Sequence, residues 1–223
     1  MSCTIPQPVP ADCRKYAKSL IEFNNLNTFN NVVINNPLHF KIDTCDPRRE
    51  LWAAISQNVK NPRWLPCYEQ VATWLADNQS RGLLCVGTCG LGKSVICCQT
   101  LPYLFRRHFD LETMVVTATE MNQRIDELLK YCGRNRIIVI DDLGTEAAET
   151  VNYGNRRKPF CELADAAERT GTLLIITTNL RTTRDTNQQR NYPSIETRYG
   201  VPTLDRLKAI TKVAVFTGDS LRA

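Results

Sequence analysis

"GLLCVGTCGLGKS", Gly82 to Ser94, is the stretch on which the reading of the fold turns. Leu83–Val86 is an apolar run of strand length, and it enters a loop of the form G-x-x-x-x-G-K-[ST] at Gly87. A helix-period segment, expected over Lys93–Phe105, follows at once. Strand, glycine loop and helix in that order make a phosphate-binding loop. Gly90 and Gly92 permit backbone conformations that turn successive N–H groups around a phosphate, and the helix N-terminus adds positive partial charge. Gly87, Gly90, Leu91, Gly92, Lys93, Ser94 and Val95 are thus expected to bind a nucleoside triphosphate, with Lys93 neutralising the β- and γ-phosphates and the Ser94 hydroxyl coordinating Mg²⁺. The loop alone implies only nucleoside triphosphate binding, because kinases, GTPases, transporters and motors share it.

Downstream, "RNRIIVIDDLGTE" (Arg134–Glu146) ends an aliphatic run in two adjacent carboxylates, an arrangement that a cation or a reaction normally explains. Asp141 comes 48 residues after Lys93. In a parallel sheet the carboxyl ends of the strands gather on the ligand side, so Asp141 is expected near the loop as a metal ligand. Asp142 is expected to hold and polarise the attacking water, and Glu146 is a candidate to share that task. The later run "TLLIITTNL" closes on Thr177, Thr178 and Asn179. If its strand inserts between the first and third, Asn179 faces the γ-phosphate and orients the same water; otherwise it caps a turn. Arg206 in "TLDRLKA" and Arg222 in "FTGDSLRA" have no core role in the pattern, and surface arginines would look the same.

From residue 67 onward short apolar runs alternate with helix-period segments, which reads as α/β with a parallel sheet covered on both faces. The expected strands are Leu83–Val86, Thr113–Thr117, Arg136–Ile140, Thr172–Thr177 and Lys212–Phe216; the order 5-1-4-3-2 is the one expected if the fourth inserts between the first and third, as in the additional-strand ATPases that the sequence resembles. The expected helices are Lys93–Phe105, Thr119–Cys132 and Pro159–Arg169. Residues 1–65 read as an N-terminal appendage suited to partner binding, and 66–223 as the ATPase domain. Seven Asn lie within Asn24–Asn36, and weak helix patterns cover Ala11–Phe23 and Arg49–Val59.

The net charge of +5 resides in the last third, where residues 151–223 carry 12 basic and 7 acidic side chains. A polyanionic partner or a solvated basic face would both produce it. Arg156, Arg157 and Lys158, flanked by Tyr153 and Phe160 in "VNYGNRRKPF", are candidates for contact with single-stranded DNA through phosphate neutralisation and stacking; a solvated helix start with core aromatics would look the same. Ten cysteines without a C-x-x-C pair, and two histidines, make reduced thiols a better expectation than zinc or disulfides. No apolar run approaches a membrane span and no leader is visible, so a cytoplasmic protein is expected.

"GLLCVGTCGLGKS", "RIIVIDDLGTE", "VNYGN", "TLLIITTNL", "ETRYG", "TLDRL" and "FTGDSLR" together resemble the DnaC/DnaI branch of AAA+ ATPases, the helicase loaders, with IstB-type transposition ATPases as near relatives. The resemblance covers about Gly82 to the end. It implies an arginine finger at Arg206 acting in trans within a homo-oligomer, and a sensor-2 role for Arg222. It also implies slow ATP hydrolysis, single-stranded DNA and a replicative helicase as partners, and the cytosol of a bacterium or phage-infected host. Asp142 stands where many AAA+ proteins have Glu, and only seven residues follow Phe216, so no helical lid is expected. The rival readings are a transposition regulator and a nucleotide-dependent adaptor that does not hydrolyse.

Overall fold

The computed structural model describes residues 37–42, 46–152, 154–182 and 193–221. The Ala11–Phe23 helix, Tyr153 and Arg222 fall outside them. Five strands, β1 (Gly82–Gly87), β2 (Thr113–Thr117), β3 (Ile137–Leu143), β6 (Leu173–Thr178) and β7 (Thr211–Phe216), form one parallel sheet in the order β2-β3-β6-β1-β7. Between β3 and β6 lies an unforeseen antiparallel hairpin, β4 (Thr150–Asn152) with β5 (Asn155–Arg157). With that hairpin left out of the count, the parallel strands stand in the expected order 5-1-4-3-2.

Alternation along the strands divides the interior into two layers. Leu83, Cys85, Ile137, Val139, Leu173, Ile175, Ala214 and Phe216 face one side. Leu84, Val86, Val116, Ile138, Ile140, Leu174 and Ile176 face the other. β6 is buried at every position, whereas the edge strands β2 and β7 expose Val115, Val213 and Val215.

The first layer is covered by α1 (Pro47–Asn58), α2 (Tyr68–Ala76) and the helix after the glycine loop, together with Leu38, Phe40 and Ile42. Asp46 starts α1 by accepting the Arg48 N–H, and Pro47 occupies the first turn, where no N–H is needed. Phe40 meets Trp74 and Phe105 edge-on, with ring centroids 5.1 and 5.4 Å away. Within this layer the buried Glu50 carboxylate of α1 bonds His108 Nε2 at 2.8 Å, and that bond holds its pKa below the usual carboxylate range.

The helix expected over Lys93–Phe105 is π-helical at Val95–Thr100 and α-helical as α3 (Leu101–Phe109). Leu101 N–H donates to Ile96 O, five residues back, and Pro102 beyond it has no N–H to lose from an α-helical ladder. On the opposite face, the helix expected over Thr119–Cys132 is two helices, α4 (Ala118–Gln123) and α5 (Ile125–Tyr131), broken at Arg124, which turns to bond Glu127. A Thr117/Glu120 capping box starts α4. α6 (Pro159–Thr170), α7 (Ile195–Tyr199) and α8 (Val201–Ile210) complete that layer.

Candidate nucleotide site

β1 ends at the carboxyl edge of the sheet between β6 and β7, and its loop closes over the start of the π-helix. Gly90 and Gly92 take φ of +82° and +78° there, a region that L side chains rarely enter. Lys93 is 6% exposed. Its Nζ donates to Gly87 O at 2.9 Å, to Thr88 O at 2.7 Å and to Asn179 Oδ1 at 2.9 Å. The ammonium thus joins the loop to the end of β6. Burial pulls its pKa below the usual lysine range, while Cys89 and Asp142 oppose that shift.

Above Lys93 opens a cavity of about 540 Å³. Gly90, Gly92, Lys93 and Ser94 line it from the loop, Val95 from the π-helix, Asp142 from β3 and Asn179 from just past the end of β6. Leu91 is buried below and accepts the Tyr68 O–H on its carbonyl at 3.2 Å. Burial pushes the Tyr68 phenol up to about 12. Leu221 N–H donates to Gly90 O at 2.9 Å, so the chain after β7 returns to the same wall.

Tyr68 and the α1–α2 connection Lys60–Arg63, which also lines the cavity, carry no signal in sequence. Only their place around the cavity after folding identifies them. The residues present suit a triphosphate: a buried cation, glycines at positive φ whose added side chains would run into Ser220 and Tyr68 of the cavity wall, and a cavity of nucleotide size. Ser94 lines the cavity with a hard oxygen donor of the kind Mg²⁺ prefers; Asp141, the other expected ligand, is not among the lining residues and lies beside Asp142, which is.

β3 continues three residues beyond Ile140, through both carboxylates. Its register with β6 passes from Ile140↔Ile176 to Leu143↔Thr178, so β3 holds one residue more than its partner, and Asp142 takes φ of +54°. Asp141 Oδ1 accepts the Thr177 hydroxyl at 2.6 Å. Burial first, then the nearby Asp141 carboxylate, pushes the Cys98 thiol pKa up.

Glu146 lies apart from the cavity. Its carboxylate accepts Gly144 N–H at 2.8 Å and the Tyr199 hydroxyl, and Arg198 donates to its backbone carbonyl. Arg206 on α8 is likewise remote from the chain's own cavity, bonding Glu168 at 2.7 Å and Asp165 at 3.0 Å, both on α6.

In the basic run, Arg157 pairs with Asp126 and Glu162, and Lys158 with Glu149 at 3.3 Å, while Arg156 is exposed on β5. Of the two readings of Phe160, stacking and core, the core one holds: its ring centroid is 4.7 Å from that of Tyr199, because it starts α6 on the inward side.

No known family profile matches the chain, and no curated protein matches it. Among solved structures it is similar to the crystal structure of the DnaC helicase loader, with 16% identity over 76% of this chain and 99% of that one, and a TM-score of 0.53. The crystal structure of DnaI aligns over 79% of this chain and 94% of that one, at 17% identity and a TM-score of 0.46. A HORMA:CdnC:Trip13 complex from E. coli MS115-1 aligns over 77% and 61%, at 11% identity and a TM-score of 0.33. The chain shares with the first of these its overall fold, a five-stranded parallel sheet flanked by helices, and here a glycine loop follows β1.

Proposed function

We propose that the protein is an ATPase that assembles with itself on single-stranded DNA and loads or remodels a replicative helicase in the cytoplasm. The observation that carries the nucleotide part is the convergence of Lys93, Asp142 and Asn179, from three separate segments, on one cavity at the carboxyl edge of the sheet. Gly87, Gly90, Leu91, Gly92 and Val95 shape the cradle, and Lys93 turns from the loop carbonyls to the β- and γ-phosphates. Ser94 and Asp141 would hold Mg²⁺, which would screen the phosphate charge. Asp142 and Asn179 orient the attacking water from two sides and exclude other approaches.

Arg206 completes a neighbour's site in trans, exchanging Asp165 and Glu168 for the γ-phosphate. Arg222 contacts the nucleotide as the sensor-2 residue. Arg156 leads the DNA contact, with Arg157 and Lys158 released from their carboxylates as the strand binds. Residues 1–65 contact the helicase; part of this region, including Leu38, Phe40 and Leu51, is packed on the sheet. Among the described residues no helix is long and apolar enough to cross a membrane.

The test is phosphate release by the purified protein with Mg·ATP, alone, with single-stranded DNA, and with a replicative helicase of the host. Turnover that rises with either partner is expected. Tight ATP binding with no turnover under any condition would replace the enzyme by a nucleotide-dependent adaptor.

A further inference from the structure

The carboxylate pair poses a geometric problem. On a regular strand, adjacent side chains point to opposite faces, so Asp141 and Asp142 could not both serve one site. The extra residue in β3 removes that alternation. It also leaves the Asp142 N–H without a regular ladder partner, beside a carboxylate that needs a fixed orientation.

One group meets both needs. Thr177 is fully buried on β6, and its Oγ1 accepts the Asp142 N–H at 2.8 Å while donating to Asp141 Oδ1 at 2.6 Å. A hydroxyl has one proton, so accepting from the amide directs that proton to the carboxylate. The next residue acts on the far side of the bulge, where Thr178 Oγ1 donates to Leu143 O at 2.6 Å and accepts Leu180 N–H at 3.0 Å. Of the two hydroxyls, Thr177 is the one that touches a carboxylate.

We propose that Thr177 is a positioning residue that sets the two carboxylates to different tasks, fixing Asp141 toward the metal and holding the bulge that turns Asp142 into the cavity. The assignment rests on the ATPase reading above. A valine keeps the shape of threonine and removes both bonds, and a serine keeps both bonds and removes only the methyl group.

The experiment compares Thr177→Val, Thr177→Ser and, as control, Thr178→Val with the parent. Fluorescent-ATP titration with and without Mg²⁺ gives the metal's enhancement of affinity, which needs no turnover, and phosphate release gives kcat, KM and the Mg²⁺ requirement. Thr177→Val should lose about tenfold in the Mg²⁺ enhancement and in kcat, the effect of one hydrogen bond to a charged group, with little change in metal-free ATP affinity. Thr177→Ser should stay within about threefold of the parent, and Thr178→Val should keep the Mg²⁺ dependence.

A Thr177→Val protein with parental enhancement and kcat would overturn the proposal, as would Thr177→Ser falling as far as Thr177→Val, since the methyl would then be what matters. If Thr177→Val does not fold, the serine variant decides by itself: a loss beyond tenfold overturns the role. A parent whose ATP affinity ignores Mg²⁺ would refute instead the assignment of Asp141 to the metal.

Discussion

Gly92→Ala is expected to damage both the stability of the protein and its nucleotide site. Gly92 sits at φ +78°, where an L side chain costs about 1–2 kcal/mol. Its added Cβ would lie 2.7 Å from Tyr68 Oη, closer than such contacts allow. The phenol cannot yield freely, because Tyr68 is buried and its hydroxyl holds Leu91 O at 3.2 Å. Moving it several tenths of an ångström gives up that bond, a further loss of about 1 kcal/mol.

The sum is about 2–3 kcal/mol, to be read from urea denaturation of the folded chain. ATP should bind at least about tenfold more weakly, since the loop N–H groups no longer converge, and fluorescent-ATP titration measures this. Tyr68→Phe deletes Oη and with it the clash, so alanine at 92 should cost only the backbone strain in that background. The double-mutant cycle should therefore show a coupling of about 1 kcal/mol. An additive cycle would refute the Tyr68 contact, and an unimpaired Gly92→Ala would refute the left-handed loop conformation itself.

Lys93→Ala should abolish ATP binding whereas Asp142→Asn keeps binding and loses turnover; equal loss of affinity in both, by the same titration, would make Asp142 a metal ligand. Arg206→Ala should bind ATP yet hydrolyse it about 10³–10⁵-fold more slowly, and mixing it with Lys93→Ala should restore turnover through mixed interfaces. A co-assembled but inactive mixture would leave Arg206 as the intrachain partner of Asp165 and Glu168. His108→Leu should cost about 3 kcal/mol in denaturant unfolding, because it strands the buried Glu50 carboxylate. Since Glu50 has a lowered folded-state pKa, the parent holds this stability above the ordinary carboxylate range and loses it as pH falls through the depressed value. A urea midpoint in the parent that is flat through that acid range would contradict the assignment.

Much of the site was legible before folding because it depends on local order. The spacing from Gly87 to Ser94, the apolar run before it and the helix pattern after it specify a phosphate cradle within one continuous segment. The strands were legible for a related reason: a parallel sheet covered on both faces demands uninterrupted apolar runs, and β1, β3 and β6 supply them. Asp142 and Asn179 were expected on the side where the cavity opens because parallel strands bring their carboxyl ends together, and both line it.

What stayed hidden depends on pairing between distant segments. Two adjacent aspartates do not disclose the extra residue in β3, since a bulge exists only relative to the register of a partner strand. Thr177 becomes a clamp only when β6 lies beside that bulge, and Tyr68 supports the loop only when α2 packs beneath it. Glu146 looked like a second base from its place in the chain, yet the fold turns it to Tyr199. Arg157 and Lys158 read as a basic patch, but carboxylates brought in by α5, α6 and the segment before β4 occupy them. Charge and hydrophobic period are properties of a segment; which partner satisfies a given donor is a property of the packed chain, because each buried polar group must find its match within about 3 Å.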